Sequence, residues 1–87
     1  MVEIYFDKKF TIIFSKIKDE LFRTKIKKQI KKVSENPNAG KPMRYDLKGT
    51  RELYIKPFRI SYIYLNSKDK IIFLDLYHKK QQLFRKN

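Results

Sequence analysis

Hydrophobic periodicity switches once along this chain, and the switch limits the folds open to it. Between Asp7 and Asn36 the apolar residues recur every three or four positions, and beyond Pro42 they alternate. Helical spacing loads one stripe of a cylinder, whereas alternation loads one face of a sheet. Phe10, Ile13, Phe14 and Ile17 form a first helical stripe, and Asp7 is suited to cap it. Leu21 or Phe22, Ile26, Ile30 and Val33 form a second, with Asp19 and Glu20 placed at its positive end. Ahead of both, Val2, Ile4 and Phe6 alternate with Glu3, Tyr5 and Asp7 as a short half-buried strand.

Asn36 to Pro42 contains two Pro, one Gly and two Asn, and reads as a loop. A weak strand follows at Arg44–Leu47, then a turn at Lys48–Thr50 and a strand at Glu52–Lys56 ended by Pro57. Phe58–Leu65 and Ile71–Tyr77 are stronger strands, separated by a turn at Asn66–Asp69. Lys79–Arg85 suits a short C-terminal helix. The order β-α-α-β-β-β predicts an α+β fold in which a two-helix antiparallel hairpin packs on one face of an antiparallel sheet. The other face lacks a second helical layer and is a natural place to receive a ligand.

Eighty-seven residues make one domain, 1–87. A chain this short buries only about 60–65% of its unfolded surface. It has no cysteine, so the core itself must stabilise it, and seven Phe and six Tyr are the material. The charge is lopsided: 22 Lys and Arg against nine Asp and Glu, a net +13. A lysine-rich thermophilic surface would carry matching Glu, which this chain lacks. The field therefore points to a polyanion such as nucleic acid. No apolar stretch reaches the ~18 residues of a membrane span, and Met1–Asp7 has no signal-peptide pattern, so a cytoplasmic protein is expected.

The segment from Lys48 to Tyr64 carries a more specific pattern. Leu47-Lys48-Gly49 precedes a strand from Arg51 to Ile55, a turn, and Phe58-Arg59-Ile60-Ser61-Tyr62. Together with Asn36-Pro37 at the helix end and the apolar strand leading into His78-Lys79-Lys80, it resembles the RelE/ParE toxin superfamily across essentially the whole chain. The resemblance implies a RelE-like fold and the toxin of a toxin–antitoxin pair, with a RelB-like antitoxin as partner. The RelE branch of that family cleaves messenger RNA in the ribosomal decoding site through the RNA's own 2′-hydroxyl, so no metal or cofactor is expected. The ParE branch shares the fold and inhibits DNA gyrase, which makes a gyrase inhibitor the alternative.

Such cleavage needs a group to take the 2′-proton, cations to stabilise the phosphorane, and a donor to the 5′-oxygen. Arg59 matches the family's phosphate-holding arginine. If Ile60, Tyr62 and Tyr64 face the helices, alternation sends Arg59 to the open face. The competing reading is a surface arginine paired with Glu52 or Asp75. His78, the only histidine, is the side chain whose ordinary pKa suits proton transfer near neutrality. The resemblance adds Lys79 as a second essential cation, with Lys56 reaching the same phosphate from its turn. Tyr54 is expected to offer a base-stacking ring or a hydroxyl, Phe84 to stack on a base, and Arg44, Lys48, Arg51 and Lys80 to hold RNA. Two departures from the family stand out: Glu52 and Tyr54 occupy positions that are basic in RelE's best-known branch, and Phe84 stands near a family tyrosine. Arg23, Lys25, Lys27, Lys28, Lys31 and Lys32 read equally as a solvated helix face or as a face toward ribosomal RNA.

Overall fold

The computed structural model describes residues 2–43 and 49–78. Strand β1 (Glu3–Phe6) leads into helices α1 (Lys8–Lys16) and α2 (Glu20–Glu35), followed by strands β2 (Lys41–Pro42), β3 (Thr50–Ile55), β4 (Phe58–Leu65) and β5 (Lys70–His78). Asp7 caps α1 by accepting from the Lys9 amide, and Asp19 caps α2 by accepting from the amides of Leu21 and Phe22. Arg23 ties the helices together: its Nη1 donates to the carbonyls of Phe14 and Ile17, and its guanidinium lies 4.3 Å from the Phe14 ring centre. The start of the second apolar stripe is Phe22, whose ring meets Phe58 at 5.2 Å, while Leu21 is 77% exposed.

The five strands form one sheet in the order β1-β5-β4-β3-β2. It is a mixed sheet. β3 to β5 pair antiparallel as expected, but β1 lies parallel to β5, with Ile4 opposite Ile71 and Phe6 opposite Phe73. Alternation in β1 showed a strand without showing its neighbour, because pairing depends on where the helices return the chain. The segment expected to be all loop contains β2, an edge strand pairing Lys41 with Glu52 and Pro42 with Arg51. A proline fits there because an edge strand leaves one side of its backbone unpaired. The strand expected at Arg44–Leu47 and the helix expected at Lys79–Arg85 lie outside the described residues. Asn66–Lys68 form a 3-10 turn that closes on Asp69 at φ 48°, a conformation a short polar side chain tolerates.

Phe10, Ile26 and Val33 of the helices pack into one core with Leu53, Ile55, Ile60, Tyr62, Ile71, Phe73 and Leu76 of the sheet. Both helices thus cover the same face. Phe73 is the hub, with ring centres 5.5 Å from Phe6, 5.8 Å from Phe10 and 5.6 Å from Tyr62. Between β4 and β5 the register breaks: Ser61 pairs with Asp75 but Tyr62 pairs with Phe73, which leaves Leu74 as an extra residue. Ile71 and Phe73 face the helices on one side of the break, and Leu76, opposite Ile60, does so on the other.

Tyr62 is fully buried, and its hydroxyl accepts from the Gly40 amide at 2.9 Å and donates to the Pro37 carbonyl at 2.7 Å. Those two bonds pin the chain leaving α2 onto the sheet. A Cβ at Gly40 would lie 2.8 Å from that hydroxyl and 2.9 Å from the Glu52 carbonyl oxygen, distances real side chains do not tolerate. Gly40→Ala should therefore lower stability by about 1–3 kcal/mol, the usual cost of overpacking. Urea unfolding checks this; a variant as stable as the parent would show that the loop is not pinned.

Candidate functional site

The sheet face away from the helices carries a compact polar group built from three strands. β3 supplies Glu52 and Tyr54, β4 supplies Arg59, and β5 supplies Tyr77. Cross-strand pairing sets them side by side, since Tyr54 lies opposite Arg59 and Arg59 lies opposite Tyr77. Arg59 Nη1 donates to Glu52 Oε1 at 2.8 Å, and the Tyr77 hydroxyl donates to Glu52 Oε2 at 2.6 Å. The Arg59 guanidinium also sits 5.5 Å from the centre of the Tyr54 ring, which is itself half exposed. Ala39, Lys41, Glu52, Leu53, Tyr54 and Arg59 line a shallow depression over this group.

Electrostatically, the pairing is well matched at one point and incomplete at another. The carboxylate accepts one charge-assisted bond on each oxygen, which is strong geometry. The Arg59 Nε–H is buried and has no hydrogen-bond partner among the described residues. A buried donor left unpaired costs about 1–3 kcal/mol. Burial raises the Tyr77 pKa well above its ordinary value, and the hydrogen bond to Glu52 and that residue's charge add to the shift. The phenol therefore stays protonated and serves as a donor.

The structure divides the residues expected to act together. Arg59 does point away from the helices, as alternation from Ile60 and Tyr62 required, but it is paired with Glu52, the competing reading of the sequence. Asp75 instead meets Lys9, at 3.8 Å. His78 lies opposite Phe58 and packs edge-on against its ring at 5.5 Å, and Phe58 contacts Phe22 of α2. His78 is thus on the helix face and Arg59 on the other, so the two do not form one constellation. Arg51 also belongs to the helix face, where its Nη1 donates to the carbonyls of Gly40 at 2.7 Å and Asn38 at 3.3 Å. It anchors a loop there, where RNA contact had been expected. Lys56 is exposed in the β3–β4 turn, near Tyr54 and Arg59 in the chain. Arg44, Lys48, Lys79, Lys80 and Phe84 lie outside the described residues. Five lysines of α2 (Lys25, Lys27, Lys28, Lys31 and Lys32) are exposed.

The sequence marked Glu52 as a departure from the family and as one of two possible partners of Arg59, and Tyr77 only as a strand end. Glu52 could have been chosen over Asp75 from its parity with Tyr54 and the antiparallel pairing to Arg59. Tyr77 could not have been found, because simple alternation from Ile71 and Phe73 puts it in the core. Among the described residues no group of three or more His, Asp or Glu could hold a metal ion, and no helix is long and apolar enough to cross a membrane.

Residues 5–83 match the family described as ParE toxin of type II toxin-antitoxin system, parDE. This chain belongs to that toxin family. No curated protein sequence matches it. Among solved structures it is similar to the intact RelBE toxin–antitoxin complex of E. coli, with a TM-score of 0.77 and 15% identity over 90% of this chain and 96% of that one. The YoeB/ParE toxin from Agrobacterium tumefaciens superposes with a TM-score of 0.79 and 15% identity over 88% of this chain and 98% of that one. The RelB–RelE complex of Methanococcus jannaschii gives 0.75 and 18% over 95% and 99%. The fold is RelE-like.

Because the folded Tyr77 pKa exceeds the unfolded value of 10.0, its bonded phenol contributes stability that is complete below about pH 10 and lost as pH rises further. Burial shifts Tyr62 in the same direction. Unfolding free energy should fall as pH rises from about 10 to about 12, and less steeply in Tyr77→Phe. Denaturant titrations across that range check it; identical slopes would remove Tyr77 from the account.

Proposed function

We propose that this toxin is a metal-independent endoribonuclease acting on ribosome-bound messenger RNA, inhibiting translation in the cytoplasm, with a RelB-like antitoxin as its neutralising partner. The observation that carries this reading is the Arg59 guanidinium beside an exposed aromatic ring and a carboxylate on one open sheet face. A planar fork of donors suits phosphate oxygens, and the Tyr54 ring suits a base stacked next to that phosphate. In this reading Glu52, bonded to Arg59 on the same face, accepts the 2′-proton. The 2′-oxygen then attacks phosphorus, and the 5′-oxygen leaves with a proton from Lys56 or Lys79, giving a 2′,3′-cyclic phosphate. The site is sparse, and the +13 charge suits binding to a ribosomal surface that would help complete it. The antitoxin partner is supported by relatives of the same fold whose structures are RelBE complexes, from E. coli and from Methanococcus jannaschii.

A gyrase-inhibiting toxin is the second reading. Its support is the match to the parDE family and the placement of His78 on the opposite face from Arg59. A reconstituted translation reaction with primer extension separates the two. Cuts that require ribosomes are expected, and Arg59→Ala should slow single-turnover cleavage by about 10²–10³-fold, the usual loss of a transition-state charge contact. Intact message alongside blocked DNA supercoiling by gyrase would overturn the nuclease reading.

A further inference from the structure

We propose that Glu52 is a built-in competitor for phosphate on Arg59, so that the site rests closed and opens when a phosphodiester takes the carboxylate's place. The inference rests on reading Arg59 as the phosphate-binding arginine. Glu52 Oε1, at 2.8 Å from Arg59 Nη1, stands where an anionic phosphate oxygen would bond. The two acceptors have the same sign and the same reach, so both cannot hold that donor at full strength.

Three features make exchange, and not a permanent bridge, the natural reading. Glu52 is held on its far oxygen by Tyr77 at 2.6 Å, and Tyr77 is only 5% exposed, so the carboxylate is anchored to the sheet without Arg59. The guanidinium is the longer and freer partner, with 24% of its side chain exposed against 17% for Glu52. The resting contact also leaves the Arg59 Nε–H without a hydrogen-bond partner among the described residues. A phosphodiester brings two non-bridging oxygens and can occupy both edges of the fork, which a carboxylate already tied to Tyr77 does not. The exposed Tyr54 ring flanks the guanidinium and can stay in contact with it as it turns outward.

The test is binding of fluorescent hexathymidylate to the full chain, followed by anisotropy. This probe is a phosphodiester of constant charge that has no 2′-hydroxyl and is not cleaved. Glu52→Gln should bind it about fivefold tighter than the parent, the scale of one partly exposed ion pair. Placed in an Arg59→Ala background, the same change should give no more than Glu20→Gln, a charge control at the start of α2 distant in sequence from this site. Glu52→Asp keeps the charge but draws the carboxylate back by one methylene, and it too should bind more tightly than the parent. Equal tightening with and without Arg59, or parent-like affinity in both Glu52 variants, overturns the proposal. Parent-like affinity in Arg59→Ala overturns instead the reading of Arg59 as the phosphate site.

Discussion

Leu74 is one residue too many for the ladder between β4 and β5, and the geometry of the site depends on how that surplus is absorbed. Up to Phe73 the odd-numbered residues of β5 face the helices; past the break the even-numbered ones do. Leu76 then fills the core opposite Ile60, and Tyr77 emerges on the far face opposite Arg59. A bulge bends a strand and re-aims its side chains, and it is tolerated when both sides of the break bury enough apolar surface. Here Ile71 and Phe73 before it, and Leu76 after it, are all fully buried. The break delivers Tyr77 to Glu52 and takes His78 to the other face.

The second organising element is the Tyr62 hydroxyl. It is the polar end of a core side chain, and it satisfies two backbone groups of the loop between α2 and β2. Arg51, on the same face, adds bonds to Asn38 and Gly40. The loop is thereby held against the sheet edge, where Ala39 and Lys41 form one wall of the depression over Arg59. Stability and site architecture share these contacts: the residues that hold the loop are on the helix face, while the surface they shape belongs to the other.

Within the RelE-like fold, this chain carries an acid and an aromatic, Glu52 and Tyr54, on the open face of β3, and the acid pairs with Arg59. Partly exposed ion pairs of this kind contribute little net stability, typically below about 1 kcal/mol. Their effect on binding is larger in proportion, because an incoming phosphate competes with a partner already in place. A net charge of +13 gives long-range attraction to polyanions, while Glu52 occupies the Arg59 donor locally. In the proposed reading, general affinity and site occupancy are set by different residues.

Much of the fold was legible in the chain because it depends on local spacing. The helical stripes, the three strands between Glu52 and Tyr77 and the outward face of Arg59 all follow from periodicities of 3.6 and two, and the Asp7 cap from its place before the first stripe. The family resemblance rests on the same local patterns. Tertiary structure alone decided three things. The parallel partner of β1 was set by the route of the helices, and the role of Arg51 by a loop that folds back over its strand. The faces of Tyr77 and His78 were set by an extra residue accommodated between two strands. Each is a relation between segments distant in sequence. Periodicity tells a side chain which face it shares with its neighbours two positions away, but only the packed sheet determines which strand lies beside it and where the register slips.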